Sequence, residues 1–247
     1  MVETRNAGYR IPYTYCMSSL LDALDGFAWA TPFIADACAL LQVPVRVGAP
    51  GLRPLVPSRA AGRVAPAVHA GSADVFLEAI QLAGRGDVLV IDNNGRLDEG
   101  CIGDLVAAEA QLSGLAGIIV DGAHRDTAAI RSVGVPVWSR GACPSGPLEL
   151  RRRHATALEA ATCGKTTVTR EDAVFADEDG VVFVALADCE RVIVAARKVA
   201  ASEAARSERL MAGEPLREQL RLADFLEKRS ADPELTFRAH AQSIEIG

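Results

Sequence analysis

No stretch of this 247-residue chain approaches the roughly 20 consecutive apolar residues needed to cross a bilayer. The opening Met1-Val2-Glu3-Thr4-Arg5 is followed by no signal-peptide core, so the expected location is the cytosol. Basic residues are not in excess: 26 Lys and Arg face 32 Asp and Glu, and the net charge of −6 argues against a general nucleic-acid surface. The six cysteines, at positions 16, 38, 101, 143, 163 and 189, form no CxxC pair. That excludes a zinc knuckle or dithiol motif and leaves them as small buried hydrophobes of a reducing compartment. There is no Gly-x-x-x-x-Gly-Lys-Ser/Thr loop, no Gly-x-Gly-x-x-Gly after a strand and no Gly-x-Ser-x-Gly elbow. Nucleotide hydrolysis, dinucleotide chemistry, methyl transfer from a cofactor on a Gly-rich turn and serine hydrolysis therefore lack their usual supports. The acidic Asp177-Glu178-Asp179-Gly180 lacks the spacing of a twelve-residue calcium loop and reads as a hairpin turn.

What is present is an apolar fraction of 49%, enough for one large core with or without an appendage. Residues 1–60 read as an irregular, Pro-rich segment with short helices around Ser18–Leu24 and Ile34–Leu41, broken at Gly48-Ala49-Pro50-Gly51. Residues 61–185 read as an α/β core. Strands are expected at Val64–His69, Asp87–Ile91, Gly117–Val120 and Val135–Trp138, with helices at Ala73–Ala83, Leu105–Leu112 and Thr127–Ser132. Strands apolar on both faces, alternating with helices, indicate a parallel or mixed sheet covered on both sides. Thr166–Thr169, Ala173–Ala176 and Val181–Val184 then read as a hairpin-like antiparallel layer. Residues 186–247 form a helical arm, with a long amphipathic helix over Ala187–Leu210 and a second over Leu216–Glu227 behind Gly213 and Pro215. Such an arm serves either as an oligomer contact or as a helix folded back on its own core.

The chemistry-bearing residues sit at the ends of two neighbouring elements. Gly100-Cys101-Ile102-Gly103-Asp104 opens one helix, and the buried strand after Gly117 runs through Asp121-Gly122-Ala123-His124 into Arg125-Asp126. Two carboxylates and a guanidinium so placed suit a divalent cation and a small anionic substrate. Taken singly, Asp104 and Asp126 read as N-caps and Arg125 as a surface ion-pair partner. His124 and His69 read as structural imidazoles, with proton transfer and pocket lining as their respective alternatives.

The blocks Gly86-Asp87-Val88-Leu89-Val90-Ile91-Asp92, Ile102-Gly103-Asp104-Leu105 and the run from Gly114 to Asp126 resemble, in order, those of the RraA-like family, and Asp177 to Val182 continues the match. That family groups 4-hydroxy-4-methyl-2-oxoglutarate aldolases with regulators of ribonuclease activity, and its members are also labelled demethylmenaquinone methyltransferases. The resemblance implies a three-layer swivelling β/β/α core in homotrimers or homohexamers with sites between subunits. Its aldolase branch is marked by Asp-x20-Arg-Asp, which Asp104, Arg125 and Asp126 match; the regulator branch places glycine at the first position and an acid where Ala129 stands. The resemblance thus implies a metal-dependent (class II) pyruvate aldolase that also decarboxylates oxaloacetate. In that reading Asp126 ligates Mg²⁺ or Mn²⁺ and Asp104 acts through metal-bound water. Arg125 pairs with the substrate carboxylate, the N–H groups of Leu105 and Val106 assist it, and Glu203 of a neighbouring subunit adds an acid, with Glu208 as its rival. The alternatives are a protein-binding regulator of ribonuclease activity and a sugar-acid lyase or dehydratase using the same site.

Overall fold

The computed structural model describes residue 20 and residues 23–245. Of the helix expected around residues 18–24, residues 18, 19, 21 and 22 lie outside the described residues. The next helix, α1, spans Thr31–Leu40 and starts three residues earlier than its apolar pattern suggests. Pro32 occupies its first turn, where a missing N–H costs nothing. The acceptor for that turn comes from far along the chain: the Asp177 carboxylate accepts from both the Thr31 N–H and the Thr31 hydroxyl at 2.7 Å.

Eight strands make the main sheet: β1 (Arg46–Val47), β2 (Arg53–Pro54), β3 (Ala60–Val68), β4 (Val88–Asp92), β6 (Gly117–Asp121), β8 (Val137–Ser139), β12 (Asp172–Ala176) and β13 (Val181–Ala185). Their order is β1-β13-β12-β3-β4-β6-β8-β2. The central β3, β4, β6 and β8 are parallel, while the flanking pairs are antiparallel. Crossovers between the parallel strands are helical, namely α2 (Asp74–Leu82) after β3, α3 (Asp104–Leu112) after β4 and α4 (Thr127–Val133) after β6. The remaining pieces are a three-stranded parallel sheet of β5 (Gly100–Ile102), β7 (Ala123–His124) and β9 (Gly141–Ala142), and a hairpin of β10 (Ala160–Cys163) and β11 (Thr166–Thr169). The expected antiparallel layer thus divides: β12 and β13 join the main sheet, whereas β11 pairs with β10.

Alternation along the strands explains why both faces are apolar. Leu89, Ile91, Ile118 and Val120 point to the helix side and pack with Phe76, Ile80, Ala107 and Ile130. Val88, Val90 and Ile119 point the other way, onto Ala161, Cys163 and Val168 of the small hairpin and onto Trp138. Helix, sheet and hairpin give the three layers of an α/β fold. A further cluster forms where Phe175, Val182 and Val184 meet α1 and the start of α5 (Cys189–Met211) through Val192, Ile193 and Ala196.

Two compact units divide the chain between Arg197 and Lys198, so α5 contributes to both. The second holds α6 (Leu216–Gln219), α7 (Leu222–Ala231) and α8 (Phe237–Glu245). The single helix expected over Leu216–Glu227 is therefore two, because Arg221 takes a left-handed backbone at φ 45° that interrupts the ladder. The break is held by His240, whose Nε2 lies 3.1 and 3.2 Å from the carbonyls of Leu220 and Arg221.

Candidate functional site

The β5 strand delivers the chain to Gly103, whose extended backbone (φ −133°, ψ −164°) lets α3 start at Asp104. The first intrahelical bond runs from Ala107 N to Gly103 O, which places the N–H groups of Leu105 and Val106 in the unsatisfied first turn, at the positive end of the helix dipole. Val106 is buried and anchors that turn, whereas the Leu105 side chain is 81% exposed. Asp104 is half-buried, and it makes no side-chain hydrogen bond or ion pair among the described residues.

Asp126 arrives from the neighbouring strand. β7 pairs with β5 in parallel, and Arg125 N donates to Ile102 O at 2.9 Å, which ties the two turns together. Asp126 occupies the N-cap position of α4, yet its carboxylate makes no capping hydrogen bond. Its backbone is left-handed at φ 58°, a conformation that aspartate enters more readily than most residues with a Cβ. Its side chain is 42% exposed, and among the described residues its ion-pair partner is Arg125, with Nε at 3.4 Å from Oδ2. Gly103 stands directly against this carboxylate: a Cβ there would collide with Asp126 Oδ2 and crowd Arg125 Nε at 3.4 Å.

Arg125 and Asp126 are thus brought together against the Gly103-Asp104 corner, as the spacing suggests. The N-cap reading fails for Asp104, which is the first helical residue behind the N-cap Gly103, and for Asp126 it is met in position and not in bonding. Asp104, and Asp126 beside Arg125, are carboxylates of the type that Mg²⁺ takes, one or two at a time with several waters. Among the described residues no set of three His, Cys, Asp or Glu side chains converges. Glu203 and Glu208 are exposed and belong to the second compact unit.

His124 is buried, with Nδ1 at 2.7 Å from Ser139 Oγ and Nε2 at 2.8 Å from Thr127 Oγ1. The Ser139 hydroxyl donates to Gly141 O at 3.3 Å, so His124 Nδ1–H donates to Ser139 and Nε2 accepts from Thr127. Burial holds its pKa below the ordinary value, and both nitrogens are engaged in joining β7, β8 and α4. His69 is also buried. Its ring stacks on Phe76, Nδ1 donates to Asn93 Oδ1 at 2.8 Å, and burial again lowers its pKa. Neither imidazole faces the Arg125-Asp126 corner as a free base.

The structure adds residues that no sequence pattern singles out. Glu99 is fully enclosed, and Gly146 lies against the Arg125 guanidinium. Glu99 stands in the polar run Asn93-Asn94-Gly95-Arg96-Leu97-Asp98-Glu99, which looks like solvated loop and carries no periodic signal of burial.

The RraA-like family model, described as Aldolase/RraA, matches residues 31–183. A protein of Halalkalibacterium halodurans, whose name carries a provisional 4-hydroxy-4-methyl-2-oxoglutarate aldolase assignment, is 31% identical over 139 residues. The match spans 56% of this chain and 65% of that relative, just under two thirds of its length. Among solved structures, an uncharacterized protein from Pseudomonas syringae pv. tomato superposes with a TM-score of 0.71 at 25% identity, covering 81% of this chain and 96% of its own. Streptomyces coelicolor RraAS2, described as an unusual member of the RNase ES inhibitor RraA family, superposes with a TM-score of 0.68 over 77% of this chain and 98% of its own; at 24% identity that likeness is one of fold. The RNA-processing inhibitor RraA from Thermus thermophilis gives a TM-score of 0.52 at 26% identity, covering 60% and 90%.

Proposed function

The chain belongs to the RraA-like family, and we propose that it is a divalent-metal-dependent lyase. Its substrate would be a 4-hydroxy-2-oxo acid cleaved to pyruvate, with oxaloacetate decarboxylated through the same enolate. The observation that carries this reading is Asp126: exposed, left-handed in backbone, capping nothing at the start of α4, and paired with Arg125 beside Gly103. A carboxylate at an N-cap that leaves the helix N–H groups unserved is free to hold a cation instead.

Arg125 would take the carboxylate of the substrate in a bidentate pair, which fixes the plane of the oxo acid. The N–H groups of Leu105 and Val106 would donate to the same carboxylate end, aided by the helix dipole. Asp126 would hold the cation directly and Asp104 through its water, with an acid such as Glu203 from a neighbouring subunit of a trimer or hexamer completing the set. When bound, a divalent cation supplies positive charge where the 2-oxo oxygen gains negative charge, and most of the barrier arises from that developing charge. As the C3–C4 bond breaks, the C4 hydroxyl loses its proton and C3 later gains one to give pyruvate. In oxaloacetate the leaving group is CO2 and no hydroxyl proton is lost.

Pyruvate release from oxaloacetate and from 4-hydroxy-4-methyl-2-oxoglutarate, with Mg²⁺ and with excess EDTA, tests the proposal. EDTA-sensitive release from either substrate supports it, and no release from both contradicts it. A sugar-acid lyase using the same corner would then be sought with other acids. The superposed structures that carry RraA names favour a second reading, a protein-binding regulator of an RNA-processing enzyme. Capture of an endoribonuclease that is indifferent to Asp104→Ala would favour that reading, whereas Asp104 and Ala129 stand on the lyase side of the family's motif.

A further inference from the structure

The acid Glu99 is 0% exposed, yet it belongs to no expected motif. Its Oε2 accepts from Leu148 N at 3.3 Å and faces Arg96 Nη1 at 3.2 Å. Its Oε1 accepts no hydrogen bond among the described residues and faces Arg151 Nη2 at 3.6 Å, the same distance as His69 Nδ1, which donates to Asn93. A carboxylate so deeply enclosed persists only where cations and N–H donors replace its lost water. Here two of those partners, Leu148 and Arg151, lie on one segment. Residues 143–151 are tied down by further backbone bonds: Cys143 N to His124 O, Gly100 N to Ser145 O, and Arg151 N to Ala70 O, each 2.8 Å.

At the centre of that segment Gly146 rests on the end of the Arg125 side chain, where an added Cβ would sit 2.6 Å from Arg125 Nη1. Asp126 approaches the guanidinium at Nε. The cation of the corner is therefore walled by a backbone segment that a buried acid holds in place. The geometry points to Glu99 as a positioning residue, and to the segment around Gly146 as the wall that fixes Arg125 for the short, planar carboxylate of a 2-oxo acid. This rests on the reading of Arg125 as the carboxylate clamp.

The test is steady-state turnover of oxaloacetate at saturating Mg²⁺ by the wild type, Gly146→Ala and Glu99→Gln, with a melting curve for each. Gly146→Ala displaces only the end of a flexible side chain, so its melting temperature stays at the wild-type value. Because the carboxylate is bound alike in substrate and transition state, KM rises about tenfold while kcat changes by less than about twofold. Glu99→Gln shifts KM in the same direction, since the neutral amide holds Leu148 but releases the arginines. Should Glu99→Gln fail to fold, Gly146→Ala decides alone. An unchanged KM in the folded variants, or a loss confined to kcat, overturns the wall and leaves the lyase reading standing. A wild type that releases no pyruvate overturns both.

Discussion

Asp121 and Asp126 lie five residues apart on one run of chain, and their carboxylates live in opposite circumstances. Asp121 is buried at the end of β6, where it accepts from Gly164 N at 2.7 Å and from Arg140 Nη1 at 3.3 Å. Asp126 is 42% exposed, caps nothing, and stands in a left-handed backbone beside an arginine. The first acid is consumed by the fold, joining the small hairpin and the turn after β8 to the central sheet. The second caps nothing and is met by the neighbouring Arg125 at 3.4 Å, on the exposed side of the corner. An acid whose bonding capacity is left open in a fixed geometry is the better candidate for chemistry.

Substitution should separate the two circumstances. The largest effect is expected at the functional end, where Arg125→Ala should lower kcat/KM for oxaloacetate by a factor on the order of 10³ with no change in melting temperature. At the structural end, Asp121→Asn should cost about 2–4 kcal/mol in urea unfolding, because Arg140 is left without its counter-charge, while the folded fraction keeps its activity. Gly103→Ala belongs with Asp126: pressing a methyl against that carboxylate should lower kcat/KM about tenfold at nearly constant stability. An Asp121 variant that lost activity without stability, or a Gly103 variant that did the reverse, would erase the distinction.

The smallest effect is a pH dependence from the buried histidines. His69 and His124 have native pKa values below the ordinary 6.5, chiefly through burial. The unfolded chain therefore binds more protons in the window below 6.5, so this contribution is complete above that pH and is lost as pH falls toward the native values. The melting temperature should fall between about pH 7.5 and pH 5.5, and replacing His124 by Gln should flatten part of that slope.

Much of the scaffold is legible in the chain. The parallel strands announce themselves as short apolar runs such as Val88–Ile91 and Gly117–Val120, whose residues alternate between two covered faces and so are apolar throughout. The two-residue strands β1 and β2 are not, since Arg46-Val47 and Arg53-Pro54 carry no period and pair only through partners more than 80 residues away. The break at Arg221 is equally silent, because a left-handed arginine has no sequence signature. At the site, Asp104, Arg125 and Asp126 are visible as residue types at a spacing. That Asp126 is uncapped is a property of backbone angle and neighbours, which composition does not encode. Glu99 shows the limit most clearly: its burial depends on Arg96, Leu148 and Arg151 closing over it from two segments.

The central claim is that Asp126 stands at an N-cap without capping because it serves chemistry. Its most direct test compares wild type and Asp126→Asn for Mg²⁺-dependent pyruvate release from oxaloacetate, on samples whose melting temperatures are recorded alongside. The account predicts that the amide variant melts at or above the wild-type temperature and releases no pyruvate above the EDTA-treated background. Wild-type turnover by Asp126→Asn would contradict it and return that aspartate to the fold.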